Sequence, residues 1–231
     1  GIIGGSGRMS GGRYSGIAPG CNLIMVKVLD RKGNGYSSDV LAGISWVLER
    51  KEQLGIRILN ISVGACSKRG MSENSALVKG VNRAWDAGLV VVVAAGNNGP
   101  RTMSITTPGI SRKVITVGCS DDDREVLVGG NRMVDYSGRG PTAACICKPD
   151  LVAPGCSVVS CSSRADKYTI KSGTSMSTPI VSGAVALLLE RFPDMSNKDV
   201  KLRLRESSVD IGLPRNQQGW GLLDVGKMLE R

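Results

Sequence analysis

Along the 231-residue chain, short apolar runs bounded by glycine and polar residues alternate with longer stretches whose apolar positions recur every three to four residues. The first kind predicts strands and the second amphipathic helices. Residues 23–29 (LIMVKVL), 56–62 (IRILNIS), 89–95 (LVVVVAA) and 113–119 (KVITVGC) read as strands. The run at 89–95 does not alternate, as a parallel strand buried on both faces requires. Residues 39–53 put Val40, Leu41, Ile44, Val47 and Leu48 on one helical face, with Ser38 as N-cap. Residues 72–87 do the same with Leu77, Val78, Val81 and Trp85, and stop at Gly88. Three more helices are predicted, over 175–191, over 196–206 and from about Leu223. The alternation predicts an α/β fold, a doubly wound and mostly parallel sheet with helices on both faces. No repeat, low-complexity tract or linker interrupts residues 1–231, which read as one domain.

Composition narrows the function. Aromatics make up only 3% against 31 glycines, so the core is built from Val, Ile, Leu and Ala with many tight turns. No apolar run is long enough to cross a bilayer, and residues 1–7 (GIIGGSG) lack the basic start and apolar segment of a signal peptide. A net charge of +10 invites a nucleic-acid partner. The densest basic group, 198–205, interleaves with Val200, Leu202 and Leu204 at helical spacing. That is the solvated face of a helix, and no nucleic acid is expected. Seven cysteines without the spacing of a disulfide scaffold point to a reducing compartment, hence the cytoplasm. Cys145-Ile146-Cys147 offers half a zinc site, but with no His in the chain and no matching pair it reads better as free thiols.

Two segments carry chemistry. In Gly173-Thr174-Ser175-Met176-Ser177-Thr178-Pro179 a serine opens a long apolar helix. There its hydroxyl meets the positive end of the helix dipole and N–H groups able to bind a developing negative charge. Taken alone, Gly-Thr-Ser reads equally as an ordinary N-cap. Ala94-Ala95-Gly96-Asn97 ends the buried valine run, so Asn97 stands at a strand's carboxyl edge, where open α/β sheets bind ligands. The bland alternative is a turn over Asn97-Asn98-Gly99-Pro100.

The seven-residue segment resembles the nucleophile signature of the subtilisin-like serine proteases, and the likeness continues in order along nearly the whole chain. It implies a serine endopeptidase with Ser175 as nucleophile, acting on polypeptides without a cofactor. Asn97 would then donate its amide to the oxyanion. Ser62, Val63 and Gly64, with Ala94, Ala95 and Gly96, are similar to the segments that line the primary specificity pocket. Gly33, Asn34 and Gly35 resemble the opposing edge, so a substrate would lie between the two as an added strand. Thr106 stands where the family often has glycine on the pocket wall, which implies a shortened pocket. Residues 148–155 (KPDLVAPG) match the strand before the nucleophile loop. The short Gly-rich start, 107–109 (TPG) and 137–141 (SGRGP) look most like a bacterial, cytoplasmic branch.

The resemblance also shows what is missing. Subtilisin chemistry uses Asp, His and Ser in chain order. This sequence has no His, and no Asp in an Asp-(Thr/Ser)-Gly context. Family members carry the catalytic His just before the segment that Gly1-Ile2-Ile3 resembles, so the chain is expected to begin past it and to be inactive alone. Its own N-terminal segment is then the expected partner. The alternative is a pseudoprotease that binds a peptide or a partner protease without cutting. Where the family has a calcium loop, residues 4–16 (GGSGRMSGGRYSG) carry two arginines and no carboxylate, so no metal is expected there. Finally, the family's Asp-bearing strand lies between those that 23–29 and 56–62 resemble. Each buried group left unpaired by its loss costs about 1–3 kcal/mol, so the gap is expected to be filled by an upstream piece or partner strand, to close up, or to pair its edge with another copy.

Overall fold

The computed structural model describes residues 1–64, 73–163 and 168–230. Its centre is a four-stranded parallel sheet in the order β1 (Ile58–Ile61), β2 (Val90–Ala94), β3 (Ile115–Cys119), β6 (Leu151–Ala153). Two antiparallel hairpins, β4 (Val126–Val128) with β5 (Asn131–Met133) and β7 (Val158–Cys161) with β8 (Tyr168–Lys171), project from it. The helices are α1 (Ser37–Arg50), α2 (Ala76–Asp86), α3 (Thr174–Arg191), α4 (Asn197–Ser207), α5 (Arg215–Gln218) and α6 (Val225–Leu229). The α/β architecture expected from the apolar pattern is the one observed.

The non-alternating valines behave as their pattern requires. All five residues of β2 are buried, which needs cover on both faces, and α2 and α3 supply it. α3 packs across β1, β2, β3 and β6, and its Val181, Ala184, Val185 and Leu188 are fully buried against Val91, Val93, Ile115 and Val117. Truncating one such leucine to alanine costs about 2–5 kcal/mol. The 148–155 motif anchors β6: the Lys148 ammonium, without solvent contact, donates to Asp150 Oδ2 (2.5 Å) and to the Val114 carbonyl (3.0 Å). Burial pulls this lysine down to about 8, with Asp150 opposing the shift.

Helix boundaries move by a few residues. α2 is capped by Ser75, whose Oγ accepts the Val78 N–H, and ends before Gly88 at φ 90°. Residue 72, the expected start, lies outside the described residues. Ser38 is not the cap of α1. It sits in the first turn, Tyr36 holds the cap position, and Asp39 Oδ2 accepts the Tyr36 N–H (3.3 Å). α4 begins where expected, because Ser196 and Asp199 form a reciprocal capping box.

The expected strand at 23–29 is absent. These residues have no ladder partner, and Leu23, Ile24 and Met25 are exposed, Met25 by 89%. The segment rests on α1 instead, with the Cγ1 atoms of Val26 and Val28 each 3.1 Å from where a side chain on Gly43 would begin. Between it and β1 runs a cavity of about 360 Å³ walled by Val26 and Val28 on one side and Leu59 and Ile61 on the other. The expectation that the two runs close on each other is not met. Val26 and Val28 stay packed on α1, and β1 has a ladder partner on its β2 side only.

This asymmetry is measurable by hydrogen exchange. Amides of residues 23–29 should exchange at least about a hundredfold faster than those of β2. Equal protection of the two would contradict an unpaired 23–29 segment.

Candidate active site

The site forms where the end of β2 meets the start of α3. Gly173, at φ 137° and ψ 162°, turns the chain into the helix in a conformation that favours glycine. A side chain there would also begin 3.2 Å from Asn97 Nδ2. Gly173 N–H donates to the Gly155 carbonyl (3.0 Å), which ties the turn to the end of β6. Thr174 then makes three bonds to residues 96–97. Its N–H and its Oγ1 donate to Asn97 Oδ1 (3.0 and 3.1 Å), and its Oγ1 accepts the Gly96 N–H (3.1 Å). With Oδ1 committed to Thr174, the Asn97 amide points its Nδ2 donor away from that contact.

Ser175 follows, half-buried, with its Oγ donating to the Ser62 carbonyl at 2.8 Å. Its own N–H belongs to the first helical turn, whose amides have no intrahelical acceptor. Pro179, inside α3, has no N–H to return to the Ser175 carbonyl. Ser175, Asn97 and Ser62, which stand far apart in sequence, are therefore brought together. The hydroxyl proton rests on an amide carbonyl, which is too weak a base to remove it.

The two predicted substrate edges face a common space. Ser62, Val63 and Gly64 leave the end of β1. Gly33, Asn34 and Gly35 sit in a turn held by Asp30, whose Oδ1 accepts the Lys32 and Asn34 N–H groups (2.8 and 2.9 Å). Gly33–Gly35 and Val63–Gly64 line one cavity of about 390 Å³, floored by Val40, Ile61 and Leu77. Thr106 is buried beside them, its N–H donating to the Ala95 carbonyl (2.8 Å). A side chain on Gly64 would begin 2.5 Å from Thr106 Oγ1, and one on Gly96 would collide with the same threonine. Thr106 thus fills the space between the 62–64 and 94–96 segments. Ala94 and Ala95 are buried at the end of β2, and the Ala95 carbonyl is taken by Thr106.

Three further residues position the site. Thr174 lies inside the motif, yet only the fold shows that it holds Asn97. Asn60 on β1 accepts from Ser182 of α3 (2.8 Å) and donates to Ser62 Oγ (3.1 Å). A polar residue inside an apolar strand run was the available signal. Asp121 Oδ1 accepts the N–H groups of Gly155 and Cys156 (2.7 and 3.1 Å), fixing the loop that supports Gly173. Residues 4–16 close on themselves, Gly16 N–H donating to the Gly5 carbonyl (2.7 Å) and Tyr14 N–H to Ser10 Oγ (2.9 Å).

Comparison with known proteins identifies the family. The model of the subtilase family matches residues 1–221, and the chain belongs to that family. It is 39% identical over 225 residues to the serine protease AprX of Bacillus subtilis (strain 168), covering 90% of this chain and 51% of that protein. It is 34% identical over 212 residues to subtilisin DY of Bacillus licheniformis, covering 91% of this chain and 69% of the relative. Among solved structures, sphericase superimposes with a TM-score of 0.76 at 31% identity, over 91% of this chain and 71% of its own. The chain therefore spans about half the length of AprX.

The Thr106 contact generates a stability prediction. Gly96→Ala puts a side chain into Thr106 at a backbone φ of 94°, so it should cost about 2 kcal/mol or more in urea unfolding. An unchanged midpoint would mean that Thr106 does not fill this wall.

Proposed function

We propose that this chain is the serine-bearing part of a subtilisin-like endopeptidase that cleaves extended polypeptides through an acyl-enzyme on Ser175. The observation that carries the reading is Ser175 at the start of α3 beside an Asn97 whose carbonyl oxygen is held by Thr174. In that arrangement the Ser175 N–H and Asn97 Nδ2 would bind the oxyanion. Loss of the equivalent donor in a subtilisin costs about 10²–10³ in turnover. The substrate backbone would pair with Ser62–Gly64 on one side and Gly33–Gly35 on the other as an added strand. Thr106 would limit the residue before the cut to small or medium side chains. The seven cysteines favour a reducing, cytoplasmic setting.

The reading demands a base that the 231 residues do not hold, since the chain contains no His. We assign that base, and the carboxylate that orients it, to an N-terminal segment of the same single domain. That segment would also supply a strand between residues 23–29 and β1, where the cavity lies. The Ser175 hydroxyl resting on the Ser62 carbonyl equally suits a second reading, a pseudoprotease that binds peptides without cutting.

Protein that includes the upstream segment tests both. Ser175→Ala should abolish peptide hydrolysis and fluorophosphonate labelling, a loss of about 10⁶-fold as measured for a subtilisin nucleophile. Retained cleavage would remove Ser175 from the mechanism, and peptide binding without cleavage in the parent would favour the pseudoprotease. On the pocket, kcat/KM should be higher for Ala or Leu than for Phe before the cut, and Thr106→Gly should narrow the difference. A clear Phe preference in the parent sinks the shortened pocket.

A further inference from the structure

Behind the nucleophile loop lies a cluster that the proposed chemistry does not use. Cys119 ends β3, Cys156 follows β6, and Asp121, just past β3, and Tyr136, just past β5, converge on them. Cys119 Sγ stands 3.1 Å from Asp121 Oδ1 and 3.2 Å from the Tyr136 hydroxyl, and Cys156 Sγ stands 3.2 Å from the same hydroxyl. The two sulfurs and a carboxylate oxygen all lie within 4.8 Å of one another. Cys119 and Tyr136 are fully buried, and Cys156 and Asp121 are half-buried.

From this we infer a metal site: Cys119, Cys156 and Asp121 bind one thiophilic divalent cation of the zinc class, with the Tyr136 hydroxyl or a water as fourth ligand. A tetrahedral zinc ion bound by sulfur at about 2.3 Å and oxygen at about 2.0–2.2 Å has ligand atoms roughly 3.5–3.8 Å apart. The Cys119–Asp121 pair is already near that spacing, and the third ligand needs to move inward by only about an ångström. Two thiols with a carboxylate favour zinc or cadmium over calcium or magnesium, which take oxygen ligands. On binding, the cation displaces the two thiol protons to solvent and forms two metal–sulfur bonds, with no change of oxidation state.

The surroundings are built as an outer shell. Asp121 is oriented by the Gly155 and Cys156 N–H groups, and the Cys119 N–H donates to Ser137 Oγ (2.9 Å). Ser177 of α3, two residues past Ser175, has a buried hydroxyl with no hydrogen-bond partner. It lies against Gly155, where an added side chain would meet both this hydroxyl and Cys119 Sγ. Because Gly155 accepts the Gly173 N–H, an ion here would brace the loop that delivers Ser175. A Cys119–Cys156 disulfide would use the two sulfurs only, with Asp121 keeping its bonds to the Gly155 and Cys156 N–H groups.

The site is tested on the reduced 231-residue chain carrying Cys145→Ser and Cys147→Ser, which removes the exposed Cys-Ile-Cys pair. Equilibrium dialysis should find one equivalent of Zn²⁺ or Cd²⁺, with an ultraviolet thiolate-to-cadmium band and a raised melting temperature. Cys156→Ser, half-buried and nearly isosteric, should weaken binding by more than the about 10–100-fold that loss of an outer-shell partner costs. Tyr136→Phe should keep the cadmium–thiolate band. Unchanged affinity in Cys156→Ser, absence of a stoichiometric ion, or a Cys119–Cys156 disulfide in peptide maps of the purified protein would overturn the assignment. None of these outcomes bears on Ser175, whose test is peptide cleavage.

Discussion

The knot between Thr174 and Asn97 is the constraint on which the rest of the site depends. Two donors from Thr174 hold Asn97 Oδ1, while the Gly96 N–H holds Thr174 Oγ1. Each such bond adds about 0.5–1.5 kcal/mol net, and stranding any of these groups costs more. Their geometric effect is larger than their energy. They weld the carboxyl end of β2 to the first turn of α3, so the Asn97 side chain and the Ser175 N–H share one frame. The turn is further seated by Gly173 on Gly155, and Gly155 in turn by Asp121.

That frame is as stiff as its support. β2 and β3 are buried throughout, and α3 lies across all four strands of the sheet. The opposite flank is different. Beyond β1 there is a cavity instead of a ladder, and residues 23–29 hold to α1 by side-chain packing alone. The half of the site that holds Ser175 and Asn97 is thus preorganised, whereas the flank beyond β1 is open. A single-chain rearrangement does not heal it, since the exposed Leu23, Ile24 and Met25 remain uncovered.

What was legible in the sequence follows from how locally each feature is determined. The Val90–Val93 run is readable because only a strand covered on both faces tolerates it, and the motif around Ser175 because small residues and proline are needed at fixed steps. Residues 23–29 misled for the converse reason. Apolar character reports what a segment can bury, while strand formation also needs a neighbour to share N–H and C=O groups. The cap of α1 was misplaced because Ser37 and Ser38 are the first two residues of the helix itself, while Tyr36 takes the cap position and gives its N–H to Asp39. Asn60 left only the trace of a polar residue in an apolar run, while Asp121 and the pairing of Cys119 with Cys156 depend on contacts between distant segments, so no spacing rule exposes them.

The chemical account rests on one claim, that Ser175 is a well-placed nucleophile with no base. Its proton lies on the Ser62 carbonyl, and no imidazole exists in the chain to receive it. Histidine is the side chain whose ordinary titration falls between pH 5 and 8, so its participation leaves a mark on rate. The most direct measurement is the pH dependence of fluorophosphonate labelling of the isolated 231-residue chain. The account predicts slow labelling whose rate climbs steadily with hydroxide, without an inflection between about pH 6 and 7. Fast labelling with an inflection in that range would contradict it, because a base within these residues would then be activating Ser175.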